Sequence, residues 1–73
     1  MAIMPPVVVY PPSSTGGRRV RLDSRILGMA YDLRDLADFL RHAGLDPDVL
    51  DVENTELIEW RGGGPRVWPK PPP

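Results

Sequence analysis

The sequence predicts a small α+β domain, in which a β-hairpin, one amphipathic helix, a short helical turn and a third antiparallel strand pack as sheet against helix. Apolar and charged residues alternate over 18–22, which is typical of a half-buried strand. Apolar residues recur every three to four positions over 33–40, which is typical of a helix. With 73 residues we expect one domain, at 18–68, between proline-rich tails at 1–17 and 69–73.

The N-terminal tail contains one segment of high β propensity, at residues 7–10, between two pairs of prolines. Because proline cannot donate a backbone hydrogen bond, this segment predicts at most a short strand at the edge of a sheet. A proline-rich ligand for an aromatic groove is the alternative that the tails leave open.

The hairpin follows the tail. Val20 and Leu22 alternate with arginines, so one face of the first strand is expected to be buried and the other solvated. Asp23 and Ser24 supply the turn, and a loop longer than two residues is an alternative because serine tolerates a positive φ poorly. Gly28 indicates either a β-bulge or a close approach of the helix backbone.

The helix is predicted over residues 33–43. Asp32 is a favourable N-cap, and Gly44 fits the left-handed position that follows many helices. Leu45 can then contact Leu40 in the Schellman arrangement. The stripe that faces the sheet is formed by Leu33, Leu36, Ala37 and Leu40.

The chain after the helix is expected to return to the sheet. Asp46 caps a short helical turn, and residues 56–60 predict the third strand. Three apolar side chains between these elements are expected to cover the end of the core; they are Val49, Leu50 and Val52.

The predicted contact surface is the segment that holds both tryptophans, with three consecutive glycines between two arginines. Tryptophan and arginine are enriched at binding hot spots, so we predict a noncatalytic protein-interaction module that binds itself, as a homo-oligomer, or another protein. A phosphate-binding loop is disfavoured, because Pro65 removes an amide donor and no Lys-Ser/Thr pair follows. The predicted partner-binding residues are Trp60, Arg61, Gly62, Gly63, Gly64, Arg66 and Trp68.

Charge is strongly partitioned along the chain. Residues 32–59 hold nine of the ten acidic residues and two of the nine basic ones, although the net charge is only −1. Either the two zones neutralise each other, within the fold or across an oligomer, or the basic zone attracts phosphates. The second interpretation gives the alternative function, a dimeric DNA-binding regulator. Its predicted nucleic-acid contacts are Arg18, Arg19, Arg21 and Arg25.

No catalytic, cofactor or metal site is predicted. His42 suits the negative end of the helix dipole, and no motif presents a serine nucleophile to it. The acidic run at 46–53 lacks the glycine that a calcium loop requires, and the chain has no cysteine for a zinc site. We therefore expect no enzyme and no cofactor. Without a basic leader or a long apolar run, we expect a cytoplasmic protein with no membrane partner.

Two resemblances add to these expectations. The chain resembles, over residues 18–68, a set of short uncharacterised proteins from high-GC bacteria, through the closing segment Leu57-Ile58-Glu59-Trp60-Arg61-Gly62-Gly63-Gly64-Pro65-Arg66-Val67-Trp68. This likeness implies a common fold and no activity. Val20-Arg21-Leu22-Asp23-Ser24-Arg25, followed by a helix and Gly44-Leu45, is similar to swapped-hairpin regulators and antitoxins that bind DNA as dimers. The chain lacks their Gly-Arg turn and Leu/Ile-Pro step, and its helix is longer.

Overall fold

The computed structural model describes residues 6–49 and 51–69, which form one four-stranded sheet with a helix on one face. The elements are β1 (Val7–Pro12), β2 (Arg18–Leu22), β3 (Arg25–Ala30), α1 (Leu33–His42) and β4 (Ile58–Trp60). The strand order is β3-β2-β1-β4. The predicted α+β class, the hairpin and the helix are confirmed. No helix in the described part of the chain is both long enough and apolar enough to cross a membrane.

β1 is the main difference from the predicted architecture, because the predicted tail at 1–17 contains a central strand. β1 pairs with β2 on one side and with β4 on the other, and Val7 and Val9 are fully buried. Its prolines are tolerated because β4 pairs only with the first half of the strand, and the pairing with β2 shifts between Val9 and Pro12. Residues 1–5 and 70–73 of the predicted tails lie outside the described residues.

β4 is the predicted third strand, but it runs parallel to β1 rather than antiparallel, with Val7 beside Ile58 and Val9 beside Trp60. The direction follows from the path of the chain. β1, β2 and β3 are successively antiparallel, so β3 runs in the same direction as β1. The chain returns through α1, and the strand after such a crossover is again parallel to the strand before it.

The hairpin β2–β3 closes with two residues, since Leu22 pairs with Arg25. Asp23 takes up the positive φ of this turn, at 53°. The bulge interpretation of Gly28 is correct, whereas it is the side chain of Phe39, not the helix backbone, that approaches this residue. The pairing with β2 shifts beside it, and its φ is 142°. A Cβ at this position would lie 3.0 Å from the ring of Phe39 on the helix.

α1 has the two caps that the sequence predicts, and its last residue is His42 rather than Ala43. The Asp35 amide donates to Asp32 Oδ1 at 2.9 Å, which caps the first turn. At the other end the Leu45 amide donates to the Leu40 carbonyl at 2.8 Å, and Gly44 has a φ of 86°. These are the features of the Schellman motif. The core between helix and sheet consists of Val7, Val9, Val20, Ala30, Leu36, Leu40 and Ile58.

The predicted helical turn after α1 is a single hydrogen-bonded turn, in which the Val49 amide donates to the Asp46 carbonyl at 3.2 Å. The prediction that Val49 covers the core is wrong, because the residue is 81% exposed. Val52 does pack against the core. Leu50 lies outside the described residues.

Candidate functional site

The glycine segment is built around one buried side chain, that of Arg18, which is fully removed from solvent. Each of its five N–H groups donates to a backbone carbonyl. A guanidinium group has five such donors and no acceptor, so its hydrogen-bonding capacity is used completely. The acceptors are the carbonyls of Tyr10 at 2.8 Å, Gly64 at 2.9 Å, Val67 at 3.1 Å, Arg61 at 2.8 Å and Gly63 at 2.9 Å.

Both tryptophans face this guanidinium. Arg18 Cζ lies 5.4 Å from the ring centroid of Trp60 and 5.6 Å from that of Trp68, and the two rings meet edge to face at 6.1 Å. Burial lowers the pKa of Arg18 below its ordinary value, because desolvation disfavours the charged form. Five carbonyl dipoles and two aromatic faces offset that penalty. We call Arg18, its acceptors and the two tryptophans the arginine cage.

The glycines give the cage its shape. Gly62 has a φ of 75°, and a Cβ there would lie 2.7 Å from Pro11 Cβ. Gly63 has a φ of 146°, and a Cβ there would lie 3.1 Å from Val67. This backbone brings the carbonyls of Arg61, Gly63 and Gly64 together on Arg18. Phosphate loops converge amide groups on an anion, whereas this loop converges carbonyls on a cation.

The predicted contact segment is therefore divided between structure and surface. Trp60 and Trp68 are partly buried against the core, and the Trp68 indole N–H donates to the Pro65 carbonyl at 2.7 Å. Arg61 and Arg66 are exposed, and Arg66 Nε lies 3.6 Å from a carboxylate oxygen of Glu53. Both tryptophans contact the protein's own Arg18 and are half-buried, whereas Arg61, Gly62 and Arg66 are exposed.

The four arginines of the predicted nucleic-acid surface do not share one surface. Arg18 is inside the cage. Arg19 and Arg21 alternate with Val20, so they project from the sheet face opposite the core. Arg25 pairs with Leu22, whose side chain packs against the core, so Arg25 lies at the hairpin end of the core face.

The sheet has an open face. Leu36 and Leu40 of α1 pack on the face that carries Val7, Val9 and Val20, and the tryptophans pack on that same core. Within residues 6–49 and 51–69, the opposite face therefore has no helix over it. The open face is formed by Val8, Tyr10, Arg19, Arg21, Ile26, Met29, Glu59 and Arg61.

Two arginines of the open face flank one aromatic ring. Arg21 Cζ lies 5.7 Å and Arg61 Cζ 5.6 Å from the ring centroid of Tyr10. Arg61 Nε also donates to the carboxylate of Glu59. Arg21 Nε is buried and has no acceptor among the described residues. We call Tyr10, Arg19, Arg21 and Arg61 the basic cluster.

Sequence reasoning missed both the cage and the cluster. Arg18 lies two residues before Val20, and alternation alone places the two side chains on the same, buried face. That signal was present in the sequence. The basic cluster unites β1, β2 and the end of β4, so Tyr10 could join it only once β1 is known to be central.

Two other residues considered for chemistry from the sequence, His42 and Asp46, have local partners. His42 Nδ1 donates to the Asp38 carbonyl at 2.9 Å, one turn earlier in the helix. Asp46 Oδ1 accepts from the Asp48 amide at 2.9 Å. Over the part of the chain that the structure describes, no three histidine, aspartate or glutamate side chains gather as a metal site would require.

Comparisons of the chain with protein-family models, with curated proteins and with solved structures return no match.

Proposed function

We propose that this protein is a noncatalytic protein-interaction module, which binds an acidic surface of its partner through the open face. The observation that carries the proposal is the basic cluster: Arg21 and Arg61 flank Tyr10, and Arg19 lies on the same face. Among the described residues of that face, Glu59 is the one acid. Such a concentration of one charge attracts the opposite charge and orients a partner during encounter. The loop predicted as the contact surface contributes Arg61, whose backbone belongs to the arginine cage.

The composition of the open face favours a protein partner over a nucleic acid. Ile26 is 51% exposed beside Arg21, and Met29 lies beside Arg19. Arginine next to apolar side chains is typical of protein interfaces. Binders of single-stranded nucleic acid stack bases on aromatic rings, whereas the ring of Tyr10 is already flanked by two guanidinium groups.

Self-association is a separate part of the proposal. The exposed acidic residues of the segment after α1 offer a second copy a surface of opposite charge to the basic cluster. Sedimentation velocity at rising protein concentration, at low and at high salt, tests it. We expect an oligomer that dissociates as salt screens the contact. A monomer under every condition would remove self-association and leave the binding of another protein intact.

The main experiment compares the wild-type protein with an Arg19→Gln/Arg21→Gln variant as bait for cellular proteins, which are identified by mass spectrometry. Glutamine keeps part of the aliphatic stem and removes the charge. The matched control is Arg34→Gln, because Arg34 is exposed on the helix side of the molecule. We expect the control to retain the partners of the wild type and the double variant to lose them.

The same variants test the DNA alternative. Labelled single-stranded and double-stranded oligonucleotides are titrated at several salt concentrations, because phosphate contacts weaken steeply with salt. The nucleic-acid proposal would replace the protein-interaction proposal if the wild type bound an oligonucleotide in a salt-sensitive way and the double variant lost that binding but kept its protein partners. An unchanged set of protein partners in the double variant would contradict the open face as the contact surface.

A further inference from the structure

We infer that Arg21 is a carboxylate-binding subsite, which takes an aspartate or glutamate side chain of the partner, and that Glu59 is an internal ligand of the same kind at Arg61. The inference rests on the proposed function in one respect, namely that the open face is the contact surface. It adds the residue that binds, the chemical group that is bound, and a device within the fold that limits binding.

The argument begins with the difference between two equivalent arginines. Arg21 and Arg61 lie at nearly the same distance from the ring of Tyr10, 5.7 and 5.6 Å. Arg61 Nε donates to the Glu59 carboxylate, so one side of the ring already holds an arginine–carboxylate pair. Arg21 Nε on β2 has no acceptor among the described residues. Arg61 thus has a carboxylate partner, whereas Arg21, on the other side of the same ring, has none among the described residues.

The Arg21 subsite is prepared for a ligand. Its guanidinium rests on the aromatic ring, which restricts the side chain before binding and so reduces the entropy that binding would remove. Its Nε atom is buried, and a buried donor without an acceptor is unfavourable until an acceptor arrives. A carboxylate supplies two oxygen acceptors and the opposite charge, which suits the planar fork of arginine.

The surroundings of Arg21 favour a polypeptide as the source of the carboxylate. Val8 and Ile26 pair with Arg21 from the two neighbouring strands, so apolar side chains lie on both sides of the guanidinium. Ile26 is half exposed, while Val8 is covered. An acidic side chain next to an apolar one therefore matches Arg21 and its exposed neighbour Ile26. A free phosphate group would leave Ile26 without a contact.

Glu59 limits the affinity of the same surface. It pairs in register with Val8, so its carboxylate competes for the arginines around Tyr10 with any carboxylate that a partner presents. Removing its charge frees Arg61 for the ligand and removes the only acid among the described residues of the open face. The inference thus predicts a substitution that strengthens binding, which a purely structural role for Glu59 does not.

The test uses the full chain and a short labelled peptide in which glutamate alternates with leucine, followed by fluorescence anisotropy. We expect Arg21→Gln to weaken binding by about tenfold, which corresponds to the loss of one charged contact. Arg34→Gln is the control and should bind as the wild type does. Glu59→Gln should bind more tightly, by a factor of about 2 to 5, since a partly exposed ion pair contributes little to stability and its removal leaves the fold intact.

Three further probes identify the anion. The same peptide with glutamine in place of glutamate should not bind, and a phosphoserine version and a single-stranded oligonucleotide should bind more weakly than the glutamate peptide. A preference for either phosphate-bearing probe would overturn the carboxylate assignment. Equal affinity of the wild type and Arg21→Gln would overturn the subsite itself.

A measurement without a partner separates this inference from the proposed function. In a titration with acetate alone, followed by the arginine Nε–H signals in NMR, we expect the Arg21 signal to shift and the Arg18 signal to stay, because Arg18 Nε already donates to the Tyr10 carbonyl. A static Arg21 signal, with cellular partners still lost by the double variant, would refute the carboxylate subsite and leave the interaction function standing. A shifting signal with all partners retained would refute the interaction function.

Discussion

Arg18 and Arg21 stand on the same strand, β2, and on opposite faces of the sheet. Arg18 is fully buried, and all of its N–H groups donate to carbonyls of its own chain. Arg21 is half-buried, and its Nε atom has no acceptor in the described residues. Both contact aromatic rings. Two arginines on one strand are thus distinguished by the hydrogen-bond partners of their guanidinium groups, which make one stabilising and leave the other suited to binding.

The arginine cage solves a problem that a small domain meets at the end of its sheet. The carbonyls of the loop after β4 have no neighbouring strand or helix whose N–H groups could donate to them, and unpaired buried carbonyls are unfavourable. One side chain from β2 satisfies four of them and also the Tyr10 carbonyl, at the bulge of β1. The cage thus joins the loop after β4 to β1 and β2 through the side chain of Arg18, beside the packing of Trp68 on the core.

The largest expected effect on stability is that of Arg18→Lys. Lysine has three donors where arginine has five, so at least two of the carbonyls lose their partner, and the contacts of the planar group with the tryptophans are lost as well. We expect the free energy of unfolding to fall by about 3 to 5 kcal/mol, as measured by urea denaturation. Arg19→Lys, at the exposed neighbouring position, should change it by less than about 0.5 kcal/mol. Similar values for the two variants would contradict the cage.

Next in size is Gly62→Ala. An alanine at this position would have to adopt a φ of 75°, and its Cβ would lie 2.7 Å from Pro11 Cβ. The loop must therefore shift, which moves its carbonyls away from Arg18. We expect a loss of about 1 to 3 kcal/mol in thermal or chemical unfolding. Gly64→Ala is the matched control in the same loop, because its φ is not positive and nothing lies within 4 Å of a Cβ there. A control as destabilised as Gly62→Ala would show that the loop geometry is not responsible.

Trp68→Phe tests the contribution of a tryptophan to the arginine cage, and its expected effect on the free energy of unfolding is smaller. Phenylalanine keeps an aromatic face toward Arg18 but removes the indole N–H that donates to Pro65. We expect a loss of about 1 kcal/mol, the usual contribution of one hydrogen bond, in the free energy of unfolding. Tyr31→Phe, at a half-exposed ring, is the control and should be close to neutral. A loss beyond about 3 kcal/mol would mean that Trp68 contributes mainly by filling the core.

The sequence allowed the local elements to be predicted because their signals are local. The cap at Asp32 and the Schellman motif at Gly44 act within a few residues, so the helix could be placed almost to the residue. The central position of β1 could not be predicted in this way. It depends on pairing with β4, about fifty residues further along the chain, and the prolines of β1 favoured a strand at the edge of the sheet. The two arginine sites share this non-local origin. Arg18 donates to carbonyls of residue 10 and of residues within 61–67. The ring of Tyr10 contacts one arginine from β2 and one from the residue after β4.

The smallest expected effect on stability belongs to Arg21→Met, and it separates the two arginines most sharply. Methionine fills the space of the aliphatic stem beside Val8 and Ile26 and removes a buried donor that has no acceptor. Replacing such a donor by an apolar group of similar shape is neutral or slightly stabilising. We therefore expect the free energy of unfolding, measured by urea denaturation, to rise by between 0 and about 0.5 kcal/mol. The same variant should lose the glutamate peptide. Greater stability together with lost binding is the signature of a residue kept for function, whereas a destabilisation above about 1 kcal/mol would place Arg21 with Arg18 as a structural residue.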